Sequence, residues 1–217
     1  MIITKIEPQR KRSQRKSIFL DGEFAFGIHD EVLLKFGLRH GDSLTPERVA
    51  EITAYEEFRS AREKALRLLN RRPRTEKEIR TKLLAVDYGE ETVQKVVEQL
   101  CDTGLLDDSL YAVMYARDIM ARRPVGKPVL KQKLRLKGIP ENTILAVIRE
   151  VFPDDEQAFA FARALAAKRL ERQEKIRSIG READALKRRK QIADFLARRG
   201  FGWDTVRRVL DDLLQKE

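Results

Sequence analysis

Along most of the chain, apolar residues recur at spacings of three and four, the period that gathers them on one face of an α-helix. Three segments share one version of this pattern: EIRTKLLAVDYGEETVQKVV from Glu78, VLKQKLRLKGIPENTILAVI from Val129 and QIADFLARRGFGWDTVRRVL from Gln191. Set beneath one another, Ile79, Leu130 and Ile192 coincide, as do Leu83, Leu134 and Leu196, and Tyr88, Ile139 and Phe201. Val93, Ile144 and Val206 follow, then Val96, Val147 and Val209, then Val97, Ile148 and Leu210. Thr92, Thr143 and Thr205 also fall in register, and Gly138 and Gly200 share a position that Asp87 fills in the first copy. Each copy therefore predicts a short helix, a stop at a residue that tolerates the left-handed conformation, and a second amphipathic helix.

A further helix precedes each pair. Ala61 and Ala65, Ala112 and Ala116, and Ala158 and Ala162 hold corresponding places on it. Side chains this small let helices approach closely. Asp107–Asp108 and Asp154–Asp155 stand where N-caps are expected. The first two copies are offset by 51 residues and the second and third by 62, although the leading helices of those two are only 46 apart. Some sixteen extra residues thus lie inside the third unit, in LERQEKIRSIGREADALKRR, read as longer helix ends around a turn near Gly180.

The start of the chain has a different period. KSIFLDGEFAFGI alternates apolar and polar residues on both sides of Asp21–Gly22, a dipeptide suited to a type I′ hairpin turn. IITKIE offers a third strand and HDEVLLKFGL a short helix. Thr45-Pro46-Glu47 then opens a long helix, with a threonine cap and proline at the first helical position. The expected fold is mainly α: three tandem three-helix repeats forming an elongated, curved array, preceded by a small β-hairpin region. The expected boundaries are 1–45, 46–107, 108–153 and 154–217, the last holding the insertion.

Charge changes the picture from fold to partner. The 217 residues include 45 Lys+Arg against 35 Asp+Glu, a formal net charge of +10. That balance favours a polyanionic partner or surface. Between Arg122 and Pro140 stand Arg122, Arg123, Lys127, Lys131, Lys133, Arg135 and Lys137, with no carboxylate among them. The sequence RRP occurs at Arg71–Pro73 and again at Arg122–Pro124, also 51 residues apart, and KRRK (Lys187–Lys190) approaches the equivalent helix of the third unit. Stacked repeats place equivalent corners along one edge, so the charge is read as a row. The competing reading is a solvated face whose counter-charges come from neighbours such as EETVQKVVEQLCDTGLLDD.

Little points to catalysis. Neither a dinucleotide-binding glycine motif nor a phosphate loop is present, and there is no His-x-x-x-His. The single cysteine, Cys101, aligns with Phe152 and Leu214 and is read as core. Trp203 either stacks on a base or partner or covers a helix junction, and the second is favoured because Trp is usually mostly buried. No metal or cofactor is expected. The N-terminal stretch has no apolar signal core, no run is long enough to span a bilayer, and the protein is expected to be cytosolic.

With GLLDDSLYA followed by GKPVLKQKLRLKGI, the two RRP corners and three helical units in view, the chain resembles the RecX family of recombinase regulators. The resemblance covers roughly residues 57–217, and the hairpin before them also occurs in some members. It implies a non-enzymatic bacterial regulator that binds the RecA–DNA filament, in its groove or at its growing end, restraining recombination and the SOS response. Asp87 departs from the glycine common at that turn. On this reading the partners are a RecA-type recombinase filament and single- or double-stranded DNA through its phosphates, with no membrane, and a monomer is expected. The expected contacts are Arg71, Arg72, Arg74, Arg122, Arg123, Lys127, Lys131, Arg135, Arg188 and Arg189, with Arg12, Arg15 and Lys16 from the basic N-terminal segment. The alternatives are a general nucleic-acid-binding protein and a protein scaffold that meets an acidic partner.

Overall fold

The computed structural model describes residues 1–9, 12–176 and 185–214, which divide into two compact units, Met1–Leu106 and Asp107–Glu217. The expected turn near Gly180 lies outside the described residues. Among those residues no helix is long and apolar enough to cross a membrane.

The first unit opens with three antiparallel strands in the order β1 (Ile3–Gln9), β2 (Arg12–Leu20), β3 (Glu23–His29). Asp21 and Gly22 join β2 to β3 at φ 51° and 94°, the positive values that a type I′ turn demands. Asp21 also accepts a 2.8 Å hydrogen bond from the Ile2 amide, which ties β1 to the hairpin tip. Helix α1 (Asp30–Phe36) stops at the left-handed Gly37. Helix α2 (Pro46–Leu69) is capped by the Thr45 hydroxyl, which accepts from the Arg48 amide at 3.2 Å. Ile3, Ile18, Ile28, Val32 and Ile52 close a core between the sheet, α1 and the first half of α2. The second half of α2 packs with α3 (Glu76–Leu84) and α4 (Glu90–Asp102) around Ala61, Ala65, Ile79, Leu83, Val93, Val96 and Val97.

The second unit holds two further helix triplets. The first is α5 (Asp108–Arg122), α6 (Lys127–Lys137) and α7 (Glu141–Val151). The second is α8 (Asp155–Ile176), α9 (Ala185–Arg198) and α10 (Trp203–Leu214). Every apolar register position that recurs in the sequence is buried in the second and third copies, from Leu130 and Ile192 to Ile148 and Leu210. In the first copy only Tyr88 is half-buried. Asp107 caps α5, accepting from the Ser109 and Leu110 amides, and Asp154 accepts from the Gln157 amide. The stop residues share one backbone state: Asp87, Gly138 and Gly200 have φ 61°, 88° and 82°. Asp87 thus makes the same turn without being glycine.

Two details differ from expectation. Cys101 is half-buried against the core of α2–α4 rather than enclosed by it. Trp203 is 60% exposed and does not cover a helix junction. It is in phase with Val206 and Leu210 but stands on the first turn of α10, ahead of the core, with the Arg207 guanidinium 6.0 Å from its ring.

Candidate nucleic-acid interface

The expected basic residues divide sharply by the company they keep. In the first unit, Arg12 opens β2. Arg15 donates to buried Glu56 at 2.6 Å and to the Gly27 carbonyl at 3.0 Å, so its charge is neutralised inside the fold. Lys16 lies 3.4 Å from Asp30. Arg72 pairs with Glu78 at 2.9 Å, and Arg74 donates to the Leu68 carbonyl at the end of α2 while lying 3.7 Å from the same glutamate. Arg71 is exposed, with no such pairing among the described residues.

In the second unit, Arg135 grips Glu141 with two hydrogen bonds of 2.9 and 2.8 Å. The bidentate bond holds the Glu141 carboxyl below the ordinary glutamate range and raises Arg135, and Lys131 adds a smaller pull on Glu141. Lys127 lies 3.5 Å from Asp155, and Arg189 donates to Asp211 at 2.6 Å. Arg188 stands beside it on α9. Arg117, Arg163 and Arg208 likewise face Glu150, Asp212 and Glu156.

One place departs from this pairing. An open cleft of about 540 Å³ is lined by Arg122, Arg123, Lys168, Arg169, Arg172 and Arg199, over a floor of Leu165 and Phe195. Arg122 has a carboxylate partner, Asp118 at 2.7 Å. Arg123, Lys168 and Arg172 are exposed and have no carboxylate within 4.0 Å among the described residues. The Arg169 and Arg199 guanidinium carbons lie 4.6 and 5.3 Å from the centroid of the Phe195 ring. Such cation–π contacts offset mutual repulsion by about 0.5–2 kcal/mol each. The Arg169 Nε is buried without a hydrogen-bond partner.

Local sequence builds both walls. Leu165, Lys168, Arg169 and Arg172 fall at i, i+3, i+4 and i+7, so α8 presents them on one face. Arg122 and Arg123 stand where α5 ends, and the chain then turns through Pro124 and buried Val125 to Gly126. The Gly126 amide donates to the Arg199 carbonyl at 2.8 Å, which pins the α9–α10 turn against the α5–α6 loop. A Cβ at Gly126 would stand 1.8 Å from the Gly200 carbonyl oxygen, so that position requires glycine.

The structure therefore brings Arg122 and Arg123 together with four cations absent from the sequence-derived set: Lys168, Arg169, Arg172 and Arg199. The i, i+3, i+4, i+7 stripe on α8 was the available signal for three of them. It escapes an apolar-periodicity reading because the stripe is cationic.

Three family models match this chain: the regulatory protein RecX N-terminal domain over residues 1–45, the RecX first three-helix domain over 61–100 and the RecX second three-helix domain over 107–148. The chain is 32% identical to a regulatory protein RecX of Clostridioides difficile, over 98% of this chain and 96% of that protein. It is 28% identical to one of Clostridium acetobutylicum, over 99% and 97%. A crystal structure of a regulatory protein RecX superposes with a TM-score of 0.68 at 30% identity, covering 100% of this chain and 99% of the other. A crystal structure of RecX from Lactobacillus salivarius shares the fold at a TM-score of 0.62 and 24% identity, covering 73% of this chain and 97% of that one.

Proposed function

This chain belongs to the RecX family of regulatory proteins, and on that premise we propose that it acts without catalysis in the cytoplasm. It binds the filament that a RecA-type recombinase forms on DNA and inhibits it, and so moderates recombination, repair and the SOS response. The observation that carries the DNA half of this reading is the cleft between α5, α8 and α9, where, among the described residues, six cationic side chains meet one carboxylate. Clustered cations that lack internal partners gain most from phosphate, because binding releases the counterions condensed on the nucleic acid. Phosphate contacts fix position without reading sequence. Specificity for the filament then comes from protein contacts to the recombinase.

The test replaces Arg122 and Arg123 with Glu. Inhibition of recombinase filaments should weaken by about tenfold or more, two reversed charges being worth upwards of 1.4 kcal/mol. Helical content by circular dichroism should stay constant, since Arg123 has no carboxylate partner among the described residues and Arg122 loses only an exposed pair. Undiminished inhibition rules the site out. Pull-downs with recombinase alone, DNA alone and the assembled filament separate this reading from general nucleic-acid binding, which the unpaired cleft also favours. Capture by bare DNA equal to capture by the filament supports the general reading.

A further inference from the structure

We infer that the cleft recognises a linear chain of phosphates as such, indifferent to what the phosphates carry, so that inorganic polyphosphate enters it on the same terms as a nucleic-acid strand. The inference rests on the phosphate-binding reading above and goes past it to the chemical class of the ligand.

The lining decides the class. Among the described residues, every polar side chain that lines the cleft belongs to Lys or Arg, and such groups only donate hydrogen bonds. Among the described residues no side-chain acceptor lines it, so the exocyclic amines of a base and the hydroxyls of a sugar meet no described side chain there that accepts from them. The one aromatic ring among the described lining residues, Phe195, is half-buried and already engaged by the guanidinia of Arg169 and Arg199. A base that stacked there would have to compete with those two cations for the ring. What remains is a set of fixed and flexible donors converging on about 540 Å³ of open space. A ligand that matches is rich in acceptors, poor in donors and repeatedly charged. A row of phosphates meets all three demands, and a single phosphate meets the charge of only part of the cleft.

The experiment uses the full chain, a fluorescently labelled single-stranded oligodeoxynucleotide and anisotropy at fixed ionic strength. Competitors are unlabelled DNA of the same sequence, an RNA of that sequence, linear inorganic polyphosphate of about 15 units or more, and orthophosphate. DNA, RNA and polyphosphate should displace the probe at phosphate concentrations within about threefold of one another, while orthophosphate at the same ionic strength should not displace it. Lys168→Glu with Arg172→Glu should weaken oligonucleotide and polyphosphate binding alike, by about tenfold or more. The milder pair Lys168→Gln with Arg172→Gln guards against misfolding and should move both affinities in the same direction. Oligonucleotide binding that depends on Lys168 and Arg172 yet resists polyphosphate overturns this inference and leaves the nucleic-acid reading standing. A cleft that selects DNA over RNA more than tenfold also overturns it. If neither pair of substitutions alters oligonucleotide binding, the cleft is not the site and both readings fall.

Discussion

Glu56 is a carboxylate at the seam between the β-sheet and α2, 6% exposed, and it accepts from Arg15 at 2.6 Å and from the His29 amide at 2.9 Å. Arg59 lies 3.6 Å away. Truncating one partner of a buried pair leaves the other charge and the amide without acceptors, which costs more than the pair itself contributes. Glu56→Ala should therefore lower stability by about 2–4 kcal/mol, read as a shift in the urea midpoint; a change under about 0.5 kcal/mol would show that water replaces the carboxylate. Glu141 is the exposed counterpart. Its pKa is depressed by the bidentate Arg135 bond, so its contribution is present above the ordinary glutamate pKa of about 4.3 and is lost as pH falls through the lower folded value. The difference in Tm between the protein and Glu141→Gln should accordingly hold near neutrality and close in acid. A gap that persists below that window would mean the glutamate acts through packing. Neither role was legible in the sequence. Arg15 reads locally as one more surface cation, because its partner stands 41 residues away.

The helices, by contrast, were legible nearly to the residue. Thr45 and Pro46 start α2, Asp107 caps α5, and the apolar stripes that recur in three copies became three buried cores. Local signals set these features, so local reading recovers them. The stop at Asp87 tests that claim. At φ 61° an L side chain is strained by roughly 1–2 kcal/mol, and glycine relieves this while adding about 0.4–1 kcal/mol of unfolded-state entropy. Asp87→Gly should stabilise the first unit by up to about 1 kcal/mol in chemical denaturation, and a loss of stability would show that the carboxylate serves the turn. The contact between the α5–α6 loop and the α9–α10 turn was not legible, since nothing near Gly126 announces that Gly200 will lie against it. Gly126→Ala should cost about 1–3 kcal/mol, as overpacking does. It should also weaken polyanion binding without removing a charge, because the Gly126–Arg199 hydrogen bond sets the spacing of the cleft walls. Anisotropy on the variant checks this; unchanged affinity would mean that the arginines adjust freely.

At the scale of the whole chain, the charge is unevenly divided. Met1–Leu106 carries 20 Lys+Arg against 18 Asp+Glu, and Asp107–Glu217 carries 25 against 17, so +8 of the net +10 belongs to the second unit. Repetition in the sequence suggested a row of equivalent corners, with Arg71 and Arg72 matching Arg122 and Arg123. Within their own units these corners differ: Arg72 is paired with Glu78, whereas Arg123 opens onto a cleft shared with α8 and α9. Equivalent positions in a repeat guarantee equivalent backbone, not equivalent surroundings, and surroundings decide whether a cation is available. The two pictures predict different salt dependences. On single strands, each phosphate contact contributes about 0.7 to the slope of log affinity against log salt. If the cleft dominates, Lys168→Gln with Arg172→Gln should flatten the slope by about 1.4, and Arg71→Gln with Arg72→Gln should leave it within about 0.3 of its original value. If a row of corners dominates, the second pair flattens the slope as much as the first, and binding must then be spread along the repeats instead of concentrated between the last two.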